Sequence, residues 1–285
     1  MNTLTDFQAT CLCATLVGKN ASVQALRVHS VFQRACNLLT PLGELWVLQA
    51  QGIPLAPAGI IVNSSDLRPF FSQGERIHIA DEGELCGRKV RISLNNAVVC
   101  STRLTPCAEA AAPALLAQQI AAFFAHQPAR GIRKALLSDE KLILAHRALI
   151  HWLHGGEGHL TEILTAFIGR GEGLTPAGDD FLLGVLLVLE REGNAKFSVL
   201  KAALAGLLSR TTDISRAMLG QGCRGHYGAQ LLHLMTANPG SLANAVAQVA
   251  DYGHSSGQDM LSGILTAARA SGENGIEAAL HVGPL

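Results

Sequence analysis

The chain has 285 residues, no net charge, 48% hydrophobic residues and only 15% charged residues. A neutral chain with a pI near 7.2 has no basic field for phosphate backbones, which argues against nucleic-acid binding. So few charges leave much of the surface to small or uncharged side chains, and we therefore expect a homo-oligomer or a complex with other chains.

Membrane insertion and secretion are not expected. The longest apolar run, "FLLGVLLVL", is about half of what a bilayer-spanning helix needs, and the amino terminus has no charged start followed by a long apolar core. The seven cysteines are odd in number and scattered, so neither a disulfide framework nor structural zinc is predicted. A reduced, cytoplasmic protein whose cysteines are small buried hydrophobes is the simplest interpretation.

The first part of the chain has the pattern of β-strands. Apolar residues alternate or form short β-branched runs, which predicts strands at residues 25–32, 44–50, 59–63, 76–80 and 89–101. Asn95 and Asn96 lie between two alternating runs and predict a hairpin turn there. We expect this part to form a small sheet or barrel.

From about residue 108 the pattern changes to alanine and leucine at helical spacing, with almost no strand signal. Strands followed by helices indicate an α+β chain in two segregated parts. We predict a β-rich domain at residues 1–107 and an α-helical domain at residues 108–285 with two central buried helices.

Two adjacent acids, Asp179 and Asp180, precede one of these apolar helices. Thr175 is predicted to cap that helix and Pro176 suits its first turn. The helix is apolar on every face at residues 181–189, so it belongs in the centre of its domain. The helix dipole favours an acid there by only about 0.3–1 kcal/mol. Burial costs more, so the acids require a cation, strong donors or raised pKa values.

A related segment occurs later in the chain. "GDDFLLGVL" at 178–186 aligns without a gap on "GQDMLSGIL" at 257–265, which places Asp180 over Asp259 and Gly184 over Gly263. Each glycine follows its acid by four residues on the same helix face, where it permits close helix approach. We therefore predict two buried helices whose starts converge, with Asp180 and Asp259 facing one pocket.

The loops before the two helices carry groups suited to binding. Gly171 and Gly173 leave amides unobstructed ahead of a helix start, an arrangement that receives phosphate or carboxylate groups. The spacing matches no phosphate-loop or dinucleotide fingerprint. The second loop offers His254, Ser255 and Ser256. Ser256 with Asp259 also fits an ordinary capping box, and this alternative stays open.

Other basic residues are weaker candidates. Arg224 could supply charge to an anion, as could Arg170 or Arg216, although surface ion pairs are the commoner fate of such side chains. His226 lines the pocket only if its helix packs against the central pair. The histidines between residues 146 and 159 lack metal-ligand spacing, so no zinc site is predicted.

These segments resemble the family of the AllH-like component of bacterial oxamate carbamoyltransferase. The resemblance covers most of the chain and is carried by "FQRACNLLT", "GELWVL", "GEGLTPAGDDFLLG", "TTDIS" and "GHSSGQDMLSG". It implies a subunit that works with two others, one resembling an acyl-CoA synthetase, in allantoin and purine nitrogen catabolism. The implied reaction interconverts oxalurate and phosphate with oxamate and carbamoyl phosphate, here or in a paralogous complex.

Within such a complex, charge and geometry suggest a role for each candidate. We expect Asp180 and Asp259 to orient an amide or ureido nitrogen and His254 to act as general acid or base. The loop amides, with Thr175, Asp179, Ser255 and Ser256, would bind a small anionic substrate or phosphate.

Two alternatives belong to other functional classes. Acids at helix starts distantly resemble the dimagnesium ADP-ribosylglycohydrolases, in which case Asp179, Asp180 and Asp259 would hold Mg²⁺ in a stand-alone hydrolase. The chain could instead be a non-catalytic scaffold that stabilises an enzymatic partner through its weakly charged surface.

Overall fold

The computed structural model describes residues 4–18, 25–80 and 83–271, and the chain divides into two compact units. The β unit contains Met1–Arg103 and His226–Ala229, and the helical unit contains Leu104–Gly225 and Gln230–Leu285. The division falls four residues earlier than the boundary expected after residue 107, and one short later segment returns to the β unit. That segment belongs there because the Tyr227 amide donates to the Thr102 carbonyl at 2.8 Å.

The β unit is a barrel of eight strands with one further strand along its side. The strands of the described residues are β1 Thr5–Cys13, β2 Ala25–Val31, β3 Ala35–Leu39, β4 Leu45–Ala50, β5 Gly59–Val62, β6 Arg76–Ala80, β7 Glu84–Cys86, β8 Val90–Ser93 and β9 Val98–Cys100. They pair in the order β5-β4-β3-β2-β6-β7-β8-β1-β9, and the antiparallel pairing of β1 with β5 closes the barrel. Closure satisfies strand edges that an open sheet would expose.

The hairpin predicted at Asn95 and Asn96 is wrong. A turn does form there, and Asn96 adopts a φ of 64°. The strands on either side pair in parallel with β1 instead of with each other, β8 along Thr5–Gln8 and β9 along Cys11–Cys13. The turn therefore shifts the chain along β1 without reversing it.

The barrel interior is filled by alternating apolar side chains. Leu26 and Val28 are buried on β2, and Trp46 and Leu48 are buried on β4. Such alternation is typical of strands with one face toward a core. It was visible in the sequence for the strands that begin at residues 25, 45, 59, 76 and 90.

The helical unit contains ten α-helices among the described residues. They are α1 Pro113–Ala125, α2 Gly131–Ala135, α3 Glu140–Leu153, α4 Leu160–Thr165, α5 Ala177–Arg191, α6 Lys196–Ala205, α7 Asp213–Gly222, α8 Ala229–Thr236, α9 Leu242–Ala250 and α10 Ser256–Ser271. Helix α5 is buried from Gly178 to Leu189, and α10 from Gly257 to Ala268. These are the two central buried helices that the sequence predicted. In the described part of the chain no helix is long and apolar enough to cross a membrane.

Helices α5 and α10 cross at a pair of glycines. A Cβ added at Gly184 would overlap the carbonyl oxygen of Met260 and lie 2.9 Å from the Ile264 amide nitrogen. A Cβ added at Gly263 would overlap the carbonyl oxygen of Phe181. The close approach expected of the two glycines is confirmed, and each backbone packs directly on the other.

Candidate functional site

The start of α5 is fixed by bonds from the preceding turn. The Arg170 amide donates to the Phe167 carbonyl at 2.9 Å, and the Gly178 amide donates to the Arg170 carbonyl at 2.8 Å. A Cβ at Gly178 would overlap the Phe167 carbonyl oxygen, so only glycine fits. The backbone of the turn thus satisfies one of the amides that a helix start leaves free.

The start of α10 is built in the same way. The Tyr252 amide donates to the Val249 carbonyl at 3.0 Å, and the Gly257 amide donates to the Tyr252 carbonyl at 3.0 Å. A Cβ at Gly257 would overlap the Val249 carbonyl oxygen. The similarity seen between the two sequence segments is therefore a repeat in three dimensions, and its copies differ in loop length, 171–177 against 253–256.

The two helix starts lie beside each other. The Thr175 and Ser256 hydroxyl oxygens are 3.0 Å apart, which joins the loop before α5 to the first residue of α10. Asp180 and Asp259 are 4% and 1% exposed, and the charge of Asp259 contributes to the raised pKa of Asp180. The structure thus brings together the two acids that the sequence repeat had aligned.

Asp180 is a buried carboxyl with an unsatisfied oxygen. Burial raises the pKa of Asp180 well above its ordinary value; the Ser256 hydroxyl opposes this, the charge of Asp259 adds to it, and the Thr175 hydroxyl opposes it. Its Oδ2 has no hydrogen-bond partner among the described residues. A buried acceptor without a donor costs about 1–3 kcal/mol, so a ligand that supplies a donor recovers free energy there.

Asp259 has one satisfied and one unsatisfied oxygen. Its Oδ1 accepts from the Ile132 amide at 2.7 Å, at the start of α2. Burial raises the pKa of Asp259 to about 6, and the bonds from Ile132 and from the Ser255 side chain limit the rise. Its Oδ2 has no partner in the described part of the chain. Asp259 therefore holds the short helix α2, which the sequence had not predicted, and keeps a second oxygen free.

Comparison with known families matches both units of the chain. Residues 167–268 match the family described as oxamate carbamoyltransferase subunit AllH, and residues 7–100 match the AllH family N-terminal domain. The chain belongs to the AllH family. No solved structure matches it. The family resemblance found in the sequence is confirmed, and the matched region of the helical unit includes both copies of the repeat.

Both carboxylate oxygens of Asp179 accept hydrogen bonds from other parts of the helical unit. Its Oδ1 accepts from the Gly169 amide at 2.8 Å, and its Oδ2 accepts from the Ser215 hydroxyl at 2.6 Å and from the Thr211 hydroxyl. The Thr212 hydroxyl donates to the Leu174 carbonyl and accepts from the Ser215 amide, which caps α7. Two of the segments that carried the resemblance, "GEGLTPAGDDFLLG" and "TTDIS", therefore hold each other in place.

We expect Asp179→Asn to destabilise the protein by about 2–3 kcal/mol. An asparagine has to turn its NH₂ group either toward the Gly169 amide or toward the Thr211 and Ser215 hydroxyls, so at least one of these donors loses its acceptor. The Gly169 amide, in particular, cannot turn away as a hydroxyl can. Urea denaturation measures the effect. Asp213→Asn is the control, because Asp213 is exposed and its substitution is expected to change stability by less than about 0.5 kcal/mol. Equal midpoints for both variants would contradict the structural role of Asp179.

Neither predicted side-chain cap forms at the two helix starts. The N-cap of α5 is Pro176, with no side-chain bond, and Thr175 instead contacts Ser256. The capping box is also wrong, because Ser256 is already the first residue of α10 and Asp259 accepts from Ile132. The loop carbonyls described above replace these caps, which leaves both hydroxyls beside Asp180.

The glycine loop before α5 is exposed at Gly171 and Gly173. Their φ angles are 119° and 87°, a region that favours glycine. The amides of both residues donate to no acceptor among the residues that the structure describes. They remain candidates for binding the anionic part of a ligand, whereas the Gly178 amide is already occupied.

The predicted basic residues lie outside the two central helices. His254 is exposed in the loop before α10, and no contact joins it to either acid within the described ranges. Arg224 is exposed in the turn that follows α7. His226 belongs to the β unit, where its Nδ1 lies 3.2 Å from the Thr102 hydroxyl. Its role as a pocket residue stays a prediction without structural support.

The remaining arginine candidates form ion pairs. Arg170 pairs with Asp139, and Arg216 pairs with Asp213 at 3.0 Å. Both pairs are partly exposed, as expected for surface arginines.

Tyr252 is a neighbour of Asp180 that sequence reasoning missed. Burial and then the charge of Asp180 raise the pKa of its phenol. It occupies the same place in the second copy of the repeat as Arg170 does in the first. Only the alignment of the turns before the two glycines could have indicated it.

The hypothesis of a Mg²⁺ site stays a prediction. Among the described residues, no group of three or more His, Cys, Asp or Glu side chains is arranged to hold a metal ion. Asp179 is bonded to three donors, which leaves Asp180 and Asp259 as the two carboxyls with a free oxygen.

Proposed function

We propose that this chain is a subunit of oxamate carbamoyltransferase, or of a paralogous carbamoyltransferase complex in allantoin and purine nitrogen catabolism. In this proposal the amide end of a small anionic substrate binds between Asp180 and Asp259. The observation that carries it is the pair of buried Oδ2 atoms, one on each central helix, that have no donor among the described residues. Membership of the AllH family supports the role as a subunit.

The chemistry of the two free oxygens favours an amide ligand. An ionised carboxylate only accepts hydrogen bonds, so its partner has to be a donor. A primary amide or ureido group offers N–H donors in one plane, and oxamate, oxalurate and carbamoyl phosphate all contain such a group. Binding one of them satisfies acceptors that are costly to leave buried and unpaired.

If one carboxyl of the Asp180–Asp259 pair is protonated, the pair can also donate a hydrogen bond. Burial raises the pKa values of both Asp180 and Asp259, so the pair can retain a proton near neutral pH. A protonated carboxyl donates to a substrate carbonyl oxygen while the ionised one accepts from the NH₂ group. Two carboxyls in this state would orient a carbamoyl group at both ends.

The rest of the substrate would meet the surrounding loops. The free amides of Gly171 and Gly173 suit its carboxylate or phosphate, and Ser255 and Ser256 supply hydroxyls at the start of α10. His254, exposed in the adjoining loop, is the proposed general acid or base.

The proposed complex is a cytoplasmic assembly. Its partners would be an acyl-CoA-synthetase-like subunit, a third subunit and further copies of this chain. The low proportion of charged residues, 15%, supports a surface that is covered by other chains.

The test uses the reconstituted complex with carbamoyl phosphate and oxamate, measured as phosphate release. We expect Asp180→Asn and Asp259→Asn each to lower kcat by about 100-fold or more, because each removes an acceptor that orients the reacting group. Asp213→Asn, at an exposed carboxylate, should leave kcat and KM unchanged.

Unchanged turnover and unchanged substrate affinity in Asp180→Asn would refute the role of the pair. Such a result in a complex that still assembles would favour the scaffold instead. Turnover that depends on added Mg²⁺ and is lost with chelator would favour the metal-dependent alternative.

A further inference from the structure

Two cysteines of neighbouring strands are in contact in the β unit. Cys11 on β1 and Cys100 on β9 have their sulfur atoms 2.8 Å apart. The parallel register pairs Cys11 with Val98 and Cys13 with Cys100, so the side chains of Cys11, Cys13 and Cys100 lie on one face of the two strands. Both contacting thiols are free.

Cys13 is not an equivalent partner. Its side chain is fully buried, and its sulfur lies 3.1 Å from the Thr15 hydroxyl and 3.3 Å from the Thr102 hydroxyl. Cys11 and Cys100 are only partly buried, and Val98 and Val99 beside them are 64% and 55% exposed. A small oxidant can therefore reach Cys11 and Cys100, whereas Cys13 is enclosed.

We propose that Cys11 and Cys100 form a redox-sensitive site that a disulfide oxidant, such as glutathione disulfide, converts into an intramolecular disulfide. The sulfurs already lie closer than two thiols in ordinary contact, so small side-chain rotations bring them to bonding distance. The site is independent of Asp180 and Asp259 and of the function proposed for them.

The reaction is a pair of thiol–disulfide exchanges. The Cys100 thiolate attacks one sulfur of glutathione disulfide, forms a mixed disulfide and releases one glutathione thiolate. The Cys11 sulfur then displaces the second glutathione, and the two thiol protons pass to the two glutathione thiolates. Burial and then the bond with Cys100 raise the pKa of Cys11 to about 12, which makes Cys11 the slower nucleophile and places it second.

The new bond would fasten β9 to the strand that closes the barrel. It links residues 11 and 100 and so restricts the unfolded chain over most of the β unit. The stability of the β unit would then respond to the thiol–disulfide balance around the protein.

The experiment incubates the full-length protein at graded ratios of reduced to oxidised glutathione, alkylates the remaining thiols and maps the linked peptides by mass spectrometry. We expect a Cys11–Cys100 peptide in monomeric protein and a Tm higher by roughly 5–10 °C, reversed by dithiothreitol. Cys11→Ser and Cys100→Ser should abolish the Tm shift. Cys86→Ser, which changes another partly buried strand cysteine, should retain it.

The proposal is overturned if no Cys11–Cys100 peptide forms at the most oxidising ratio. It is equally overturned if the end product is a Cys13–Cys100 bond, a stable glutathione adduct or a disulfide between two copies of the chain. Peptide mapping of the unsubstituted protein decides this even where a serine variant fails to fold.

Discussion

Replacing Gly263 with alanine is expected to destabilise the helical unit by about 3 kcal/mol or more. The new methyl group would overlap the Phe181 carbonyl oxygen and lie 3.1 Å from the Val185 amide nitrogen. These neighbours are backbone atoms of a buried helix, which cannot rotate aside as a side chain can. The two central helices would have to separate, and the weaker packing along their length adds to the cost.

Denaturant unfolding of single variants measures this effect. Gly184→Ala should be similarly destabilising, because a Cβ there would overlap the Met260 carbonyl oxygen. Gly206→Ala is the matched control: the nearest atom to its Cβ is the Ala203 carbonyl oxygen at 3.7 Å, an ordinary contact. We expect that control to lie within about 0.5 kcal/mol of the unsubstituted protein. Unfolding midpoints for Gly263→Ala equal to those of the control would contradict the proposed crossing.

The crossing could be predicted because its cause lies in local sequence. A run of apolar residues on every helix face predicts a buried helix, and a glycine repeated at the same place in two such helices indicates close approach. Gly184 and Gly263 met both conditions. The strands that begin at residues 25, 45, 59, 76 and 90 were predictable for a similar reason, since alternation is a local pattern.

Pairing between distant segments could not be predicted in this way. The turn at Asn95 and Asn96 has the residues of a hairpin. The strand before it, β8, and the strand after it, β9, nevertheless both pair with β1, which is far away in sequence. Strand β1 itself has an irregular pattern, and its register against β5 shifts between Ala9 and Cys11. Local turn chemistry does not determine which strand becomes the partner.

The candidate site shows the same division. The sequence aligned Asp180 with Asp259, and the structure places them at adjacent helix starts. The sequence did not indicate that Asp259 also accepts a hydrogen bond from α2. Nor did it indicate that Asp179 accepts hydrogen bonds from Thr211 and Ser215. Those roles depend on donors from other elements, and an acid in a sequence looks the same whichever donors it meets.

We expect the free energy of unfolding of Asp259→Asn to rise relative to that of the unsubstituted protein as pH increases from about 4 to about 7. The pKa of Asp259 is raised from 3.8 to about 6 in the folded protein. Its protonated form is therefore favoured by folding, and this contribution is fully present below 3.8 and lost as pH rises through 6. A shift of this size corresponds to about 3 kcal/mol, and the neutral asparagine does not incur the loss.

The groups around Asp259 make the substitution informative. Asparagine keeps an oxygen that accepts from the Ile132 amide, so α2 should stay in place. Ser255 donates to Asp259, and the charge of Asp259 acts on Asp180, whose own pKa is raised. His146, buried against Thr266, has its pKa lowered to about 4, so its effect on stability has the opposite sign between about pH 4 and 6.5. The difference between two proteins that share His146 removes that contribution.

Urea denaturation at pH 4, 5, 6, 7 and 8 checks the prediction, with Asp251→Asn as the control for an exposed acid in the loop before α10. A constant or shrinking difference for Asp259→Asn would contradict the burial of an unsatisfied carboxyl. A variant that is more stable at pH 7 and yet inactive in the complex would separate the two roles of Asp259. The buried charge of Asp259 would then lower the stability of the fold while serving to bind the substrate.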